Sequence, residues 1–277
     1  MMSVAGDLAS KVERPPALHR RWTRGRIIGH VLVGLWLVVG VGLVSYLFGS
    51  WDLALFERYM PLYMSGLGVT LALVVSSMII GSVLSVPIAY ARMSRNRILN
   101  MFAYAYVYFF RGTPLLAQTF LVYYGLGSFK AELESVGLWS FFRDAWYCGV
   151  FAFSLNTAAY QAEILRGAIE SVPRGQWEGA ESLGLHKLQI LWKVVLPQAL
   201  IVGLRPYGNE FILMIKASAI VAIITVYDLM GETRRAYAQT FDFQTYIWAG
   251  LIYLSIVETL RHFVDWVERR ITIHLKR

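Results

Sequence analysis

The feature that most constrains this chain is a series of long segments without Lys, Arg, Asp or Glu. Residues 27–51 form one such segment and residues 59–91 form another. A helix needs roughly 20 mostly apolar residues to cross the hydrocarbon of a bilayer. The whole chain is 57% hydrophobic and 16% charged, whereas a soluble domain carries about 25% charged residues. The sequence therefore predicts an all-α membrane protein.

About six segments are predicted to be transmembrane helices. They cover approximately residues 27–48, 65–90, 98–126, 145–165, 198–224 and 243–262. The first is too long for the apolar region of a signal peptide, which has about 7–15 residues, so we expect a retained anchor. The third is interrupted by "FFRGTPLL", residues 109–116, where the proline is expected to break the helix.

The distribution of Lys and Arg predicts the orientation in the membrane. These residues concentrate before the first span, in the loops after the second and fourth spans, and in the C-terminal tail. Cytoplasmic loops carry an excess of Lys and Arg, so both termini are predicted to be cytoplasmic. The same asymmetry accounts for the net charge of +8, and no nucleic-acid partner is expected.

The loop between the fourth and fifth predicted spans is charged, yet it has helical periodicity. Pro173 is expected to open a helix, because the first helical position needs no amide donor. Gly184 is expected to stop that helix, and a second amphipathic helix to follow. The apolar positions of this second helix are Leu185, Leu188, Trp192 and Val195. Spacing alone leaves two interpretations open, namely a docking element for another protein and an interfacial helix on lipid headgroups.

The sequence lacks the motifs of an ATP-hydrolysing pump or of another enzyme. It contains no Gly-Lys pair, and therefore no Walker A loop of the form G-x-x-x-x-G-K-[S/T]. Its His, Cys and carboxylate residues show no metal-ligand spacing, and the one cysteine, Cys148, excludes an internal disulfide. We therefore expect no catalytic residue, no metal and no cofactor on this chain.

Two charged positions inside predicted spans are candidates for function, because ionisable groups are costly at membrane depth. Glu210, next to Asn209, follows Pro206 and Gly208, which weaken the helix. It is either a solute ligand or part of an interhelix hydrogen bond. Arg111 lies just before Thr113 and the helix-breaking proline. It either helps to receive a carboxylate at the broken helix or bonds the carbonyls that the break frees, and the second interpretation is favoured.

A motif in the charged loop resembles the cytoplasmic signature of ABC importer permeases. That signature is Glu-Ala-Ala, three residues, Gly, nine residues and Ile-x-Leu-Pro. At the same spacing this chain has Glu178, Gly179, Ala180, Gly184, Val194, Val195, Leu196 and Pro197. Gly179 and Val194 depart from the signature. The stretches "FRGTPLLAQ" (110–118), "LNTAAYQAEILRGAIESVP" (155–173) and "YGNEFILMIKASA" (207–219) are similar to the polar amino-acid branch, which includes the histidine, basic amino-acid and opine permeases.

This resemblance implies a type I ABC permease core of five helices with one additional N-terminal helix. The implied organisation is a basic cytoplasmic segment 1–26, the extra helix 27–48, a permease domain 62–265 with a coupling loop 166–197, and a cytoplasmic tail 266–277. The implied location is the bacterial inner membrane. The implied partners are two ATPase subunits, a second permease that is similar or identical, an extracytoplasmic solute-binding protein and the lipid bilayer.

The resemblance also assigns roles to individual residues. It places Glu178, Gly179, Ala180, Gly184, Leu185 and Leu188 at the contact with an ATPase. It places Glu210, Asn209, Arg111 and Thr113 on the substrate pathway, with Glu210 facing the cationic or amino end of a solute. We therefore expect a subunit that imports polar amino acids by alternating access. The alternative is an ion-coupled secondary transporter, which would need paired inverted repeats that we do not find.

Overall fold

The computed structural model describes residues 23–49 and 51–272. Residues 1–22 of the predicted basic segment and residues 273–277 of the predicted tail lie outside these ranges. Every regular element in the described ranges is helical, as the hydropathy pattern predicts. The chain divides into two units at residues 51 and 52, and each unit is described by itself.

The first unit contains one described helix, α1 (Arg24–Gly49). Apolar side chains cover all of its faces, and most of those described are exposed. A helix that is apolar all round suits a hydrocarbon environment, because its backbone groups are satisfied internally and its side chains need no water. Residues 24–46 form a candidate membrane span, close to the predicted anchor.

The second unit contains the remaining helices. They are α2 (Leu53–Met93), α3 (Arg97–Gly112), α4 (Leu115–Phe120), α5 (Lys130–Ser135), α6 (Trp139–Phe142), α7 (Ala145–Glu170), α8 (Arg174–Ser182), α9 (Lys187–Ile190), α10 (Leu196–Ser218), α11 (Leu229–Thr240) and α12 (Gln244–Ile271). A π-helical turn, Leu121–Gly125, extends α4, and a second one, Leu191–Val195, joins α9 to α10. A 3₁₀ segment, Ala219–Ile224, follows α10.

Four helices among the described residues are long and apolar enough to cross a membrane. They cover residues 24–46, 53–93, 187–224 and 244–271. The predicted number of six is not confirmed. The third predicted span is divided into α3 and α4, and each part is short. The fourth, α7, has 26 residues but does not reach the hydropathy of a lipid-facing helix.

Helix α7 has a lower hydropathy because it lies in the core of the second unit. It packs along α2 and also contacts α3 and α10. Buried polar residues Ser154, Asn156, Thr157 and Gln161 alternate with small apolar ones on its surface. Polar side chains are tolerated there because protein groups, rather than lipid tails, supply their hydrogen-bond partners.

The core between these helices has an apolar part and a closely packed glycine contact. Leu73 and Val74 of α2 pack against Phe153 of α7 and Ile215 of α10. At Gly81 of α2, a β-carbon would overlap the methyl group of Thr157. The absence of a side chain at Gly81 therefore sets how closely α2 and α7 approach.

Candidate functional site

The break in the third predicted span is present in the structure. Helix α3 ends at Gly112, Thr113 and Pro114 are extended, and α4 begins at Leu115. Proline cannot donate a backbone hydrogen bond, so carbonyls in the last turn of α3 lose their helical partners. The prediction of an interruption here is confirmed.

Two buried amide side chains donate hydrogen bonds to the groups that the helix break leaves without partners. Gln118 Nε2 donates to the Phe110 carbonyl (2.9 Å) and to Thr113 Oγ1 (2.7 Å). Asn156 Nδ2 donates to the same carbonyl (2.9 Å) and to Gln118 Oε1 (3.0 Å). The expectation that Arg111 bonds the freed carbonyls is therefore wrong. Amide side chains already inside the core reach these carbonyls, whereas Arg111 extends away from the break. Both amides lie within the quoted motif stretches, and sequence reasoning missed their role.

Arg111 instead lies at the wall of a cavity. Its side chain is 44% exposed, and its Nη1 is 3.9 Å from Glu163 Oε2. Its guanidinium lies over the ring of Tyr160, 5.2 Å from the centroid, in the arrangement of a cation–π contact. The cavity has a volume of about 470 Å³, and Arg111, Tyr160, Glu163, Gly203 and Pro206 are among its lining residues.

Glu163 is the centre of an ion-pair cluster that the sequence did not reveal. Arg92 Nε of α2 lies 2.9 Å from its carboxylate, and Arg166 Nη2 lies 2.8 Å from it. Glu170 also accepts from Arg166, at 2.6 Å. Arg111 is thus the third cation around Glu163, and it lies farther from the carboxylate than Arg92 and Arg166 do. The cluster ties α2 to the end of α7 beside the cavity.

Glu210 is buried between α7 and α10, with 5% of its surface exposed. Its Oε1 accepts a hydrogen bond from Thr157 Oγ1 at 3.0 Å. Thr157 accepts in turn from Gln161 Nε2 at 3.0 Å, and Gln161 Oε1 accepts from Ser82 at 2.6 Å. Glu210 forms no ion pair within residues 23–49 and 51–272. It is a buried carboxylate without a direct counter-ion, which is costly unless something else compensates it.

Glu210 and its hydrogen-bond donor lie one helical turn beyond the cavity. On α10, Pro206 lines the cavity and Glu210 is four residues further along. On α7, Tyr160 lines the cavity and Thr157 is three residues away. Residues three or four apart share a helix face. Glu210 and Thr157 therefore lie about one helical turn from the cavity on their respective helices.

The other two predicted pathway residues are placed differently. Asn209 is exposed, whereas Glu210 beside it is buried, because neighbouring positions on a helix point about 100° apart. Thr113 belongs to the break, where its hydroxyl donates to the Phe109 carbonyl at 2.7 Å. The structure thus brings Arg111 and Glu210 to one region and leaves Asn209 outside it.

The predicted coupling loop forms two short helices with a stop between them. Pro173 precedes α8 as its cap, and Gly184 has a φ of +75°, a conformation that glycine adopts without strain. His186 then caps α9, and the side chain of Gln189 accepts from the His186 amide at 3.2 Å. The prediction of a helix stop at Gly184 is confirmed.

The apolar residues of this loop divide into an inner and an outer set. Ala180, Ile190 and Val195 are buried against the end of α7, and Leu185 packs partly against them. Leu183, Leu188 and Trp192 are 81%, 60% and 62% exposed. Glu178 and Gly179 are also exposed. The predicted stripe is therefore shared between two surfaces, since Val195 belongs to the core while Leu188 and Trp192 do not.

Comparison with known protein families identifies the family of this chain. The model of one family, described as "Binding-protein-dependent transport system inner membrane component", matches residues 81–273. The chain belongs to this family. Its members are the permease subunits of ABC importers, which work with an ATPase and a binding protein. The chain is accordingly a transport subunit, and ATP is hydrolysed on a separate subunit. Nothing supports the alternative of an ion-coupled secondary transporter.

Curated relatives of this permease come from several bacteria. The nopaline transport system permease of Agrobacterium fabrum is 40% identical over 81% of this chain and 94% of its own length. The octopine transport system permease of Rhizobium radiobacter is 38% identical over 75% and 87%. The arginine ABC transporter permease of Escherichia coli strain K12 is 35% identical over 77% and 96%.

Solved structures agree with the fold. A chain of a structure described as an amino acid ABC transporter with histidines has a TM-score of 0.71 and 36% identity, and the match covers 80% of this permease and 99% of that chain. A chain of a methionine ABC transporter in an inward-facing conformation has a TM-score of 0.65 at 20% identity, with 78% and 99% covered. The second likeness concerns the fold alone.

Proposed function

We propose that this permease carries a cationic or opine-type amino acid along a path between Arg111 and Glu210. Relatives that are 35% to 40% identical are described as transporting nopaline, octopine or arginine. Each of these solutes carries at least one carboxylate and a cationic group. The observation that carries the proposal is the buried carboxylate of Glu210, one turn beyond a cavity that Arg111 lines.

The two charges suit the two ends of such a solute. The Arg111 guanidinium is a planar donor that matches a carboxylate, and its 3.9 Å contact with Glu163 is too long to hold it firmly. Glu210 supplies a negative charge in a region of low dielectric, where attraction to a cation is much stronger than in water. In this conformation Glu210 is covered, so a solute reaches it only when the helices around the cavity move apart.

The loop of α8 and α9 is proposed to receive the mechanical work. Leu183, Leu188 and Trp192 are exposed apolar side chains of this loop, and Glu178 is exposed on the same loop. Exposed apolar side chains of this kind fit a groove on another protein better than water. The proposed assembly has two ATPase subunits, a second permease and an extracytoplasmic binding protein in the bacterial inner membrane. Both termini and this loop face the cytoplasm, as the positive charges favour.

The path is tested with Glu210→Gln in the complete importer, reconstituted in vesicles with its ATPase, partner permease and binding protein. The substitution keeps the acceptor for Thr157 and removes the charge. We expect uptake of arginine to fall by about tenfold or more, since a lost buried ion pair costs several kcal/mol, while uptake of a neutral amino acid that the system accepts falls less. Glu170→Gln, at an exposed carboxylate, is the control. Equal losses for both solutes would contradict the role of Glu210.

The docking surface is tested separately with Glu178→Lys and Gly184→Asp. Glu178→Lys should insert and fold normally, whereas Gly184→Asp also strains the turn at its positive φ. ATP-driven uptake should fall in both variants because the ATPase no longer seats on the loop. Glu132→Lys, which makes the same change of charge on α5, is the control. Co-purification of the ATPase with each variant gives a direct readout. Normal co-purification and uptake with both loop variants would refute the docking role.

A further inference from the structure

We infer that the turn between α2 and α3 is a binding site for the headgroup of an anionic phospholipid. A cavity of about 390 Å³ lies at this turn, and it is lined by Ser94, Arg95, Arg97, Asn100, Met101 and Tyr104. No described residue of segment 91–104 is acidic, whereas three are arginines. This site is distinct from the proposed solute path and from the surface of α8 and α9.

The backbone of the turn is already satisfied by its own side chains. Ser94 Oγ accepts from the Asn96 amide at 3.1 Å. Asn96 Oδ1 accepts from the amides of Ile98 (3.0 Å) and Leu99 (3.4 Å), which caps α3. Asn100 bonds Arg92 through both its oxygen and its nitrogen. The guanidinium groups of Arg95 and Arg97 and the hydroxyl groups of Ser94 and Tyr104 are therefore among the donors left for a ligand.

Arg95 and Arg97 differ from the third arginine of the turn. Arg92 is neutralised by Glu163 at 2.9 Å, and its guanidinium lies over the Tyr104 ring at 5.0 Å. Arg95 and Arg97 are exposed, and neither forms an ion pair or a side-chain hydrogen bond with any residue in 23–49 or 51–272. Two uncompensated guanidinium groups at one cavity match a phosphate diester, which accepts several such hydrogen bonds.

The surface beside the cavity selects a lipid rather than a free phosphate. Ile98 and Phe102 of α3 are exposed and apolar, and Met101 lines the cavity itself. On α2, Val86 and Tyr90 are exposed a few residues before the turn. A lipid places its phosphate at the membrane surface and its acyl chains alongside such apolar side chains. Charged and apolar side chains thus lie side by side at this turn, as the headgroup and acyl chains do in a lipid.

The test is native mass spectrometry of the full-length chain, purified in detergent and titrated with phosphatidylglycerol or phosphatidylcholine. The variant is Arg95→Gln with Arg97→Gln. The control is Arg269→Gln with Arg270→Gln, which removes the same charge from an exposed arginine pair in the last turn of α12. We expect retained phosphatidylglycerol to fall by about tenfold in the first variant and little in the control. Retained phosphatidylcholine should be low in all three proteins.

Three results would overturn the inference. Equal loss of phosphatidylglycerol in both variants would mean attraction by net charge and no defined site. Equal retention of phosphatidylcholine would mean that the headgroup charge is not recognised. Displacement of the lipid by soluble glycerol phosphate at a matched concentration would mean that the cavity binds a free phosphate, with no contribution from the acyl chains. Circular dichroism and thermal unfolding establish that each variant is folded before it is titrated.

Discussion

The loop of α8 and α9 and the polar core around Glu210 differ in which side chains they expose and which they bury. The loop exposes its apolar side chains Leu183, Leu188 and Trp192, whereas the core buries polar side chains such as Thr157 and Gln161. The loop is continuous in sequence, while the core draws on α2, α7 and α10. A surface that docks needs only local structure, but a buried carboxylate needs donors from several helices.

This difference determines how each region should respond to substitution. In the core a small change removes a partner or creates an overlap, and stability falls. In the loop the same kind of change meets open space, and the effect appears in binding instead. Four substitutions examine this contrast, taken from the largest expected effect on stability to the smallest.

The largest effect is expected for Glu163→Gln, which removes the carboxylate shared by Arg92, Arg166 and Arg111. Three cations, one each on α2, α3 and α7, would then lie close together without the carboxylate between them. We expect a loss of about 2–3 kcal/mol in the free energy of unfolding, measured on the purified chain in detergent. Glu170→Gln removes an exposed partner of Arg166 and should cost at most about 0.5 kcal/mol. Similar losses for the two variants would remove the distinction between core and surface.

Gly81→Ala should have the next largest effect. The new methyl group would overlap Thr157 Cγ2, and rotating Thr157 away would break its hydrogen bond to Glu210. We expect a loss of about 2 kcal/mol together with reduced uptake. Gly68→Ala lies on the same helix with nothing within 4 Å of the added carbon, and it is the matched control. A neutral result for Gly81→Ala would show that α2 and α7 can separate freely.

Asp228 is a buried carboxylate through which the stability of the core should depend on pH. This cap of α11 is fully buried, and its Oδ1 accepts from the Gly231 amide at 2.8 Å. Burial raises the pKa of Asp228 to about 6, although its hydrogen bonds oppose the shift. The folded chain therefore binds this proton more tightly than the unfolded chain, and the free energy of unfolding falls as the pH rises from about 4 to about 6.

Thermal unfolding at several pH values measures this contribution. In the unmodified chain we expect Asp228 to lower the free energy of unfolding by about 1 kcal/mol as the pH rises from about 5 to about 7. Asp228→Asn should abolish this decrease. The carboxamide that this substitution introduces would keep an acceptor for the cap. The control is Asp144→Asn, which makes the same substitution at the exposed cap of α7. An unchanged response in Asp228→Asn would assign the pH dependence to other groups.

Gly179→Ala should have the smallest effect, and it should be stabilising. Gly179 lies inside α8 with nothing within 4 Å of an added β-carbon, and alanine is favoured over glycine in a helix by up to about 1 kcal/mol. Gly184→Ala is the contrasting variant, because its φ of +75° strains any side chain. Thermal unfolding should therefore shift upwards for the first and downwards for the second. Destabilisation by Gly179→Ala would mean that α8 is packed more tightly than the structure shows.

The loop could be predicted from the sequence because its signals are local. Pro173, Gly184 and the spacing between them define where its helices begin and end. Which of its apolar side chains are buried was harder to predict, because Val195 is covered by residues near the end of α7 that are distant in the chain. Periodicity identifies a face of a helix but not what covers that face.

The core could be predicted only in part. Glu210 was found because a carboxylate in an apolar segment is conspicuous, but its donor Thr157 is 53 residues away. Gln118 and Asn156 were missed because their contact joins positions 38 residues apart. The predicted fourth span illustrates the same limit, since hydropathy does not distinguish a polar helix buried in protein from one outside the membrane. The domain bounds, the absence of a cofactor and the roles of the site residues stay predictions.

The hydrogen bonds that the amide side chains of Gln118 and Asn156 make at the helix break have a consequence for motion. The two parts of the broken segment are joined to α7 through Asn156, which also lies one residue before the donor of Glu210. Helix α7 runs on from there to Glu170, just ahead of the segment that begins α8. A tilt of that single rod would shift the end of α3 and loosen the cover over the carboxylate in the same stroke. The opening of the cavity beside α3 and the exposure of the Glu210 carboxylate would then change together, because the same helix moves both.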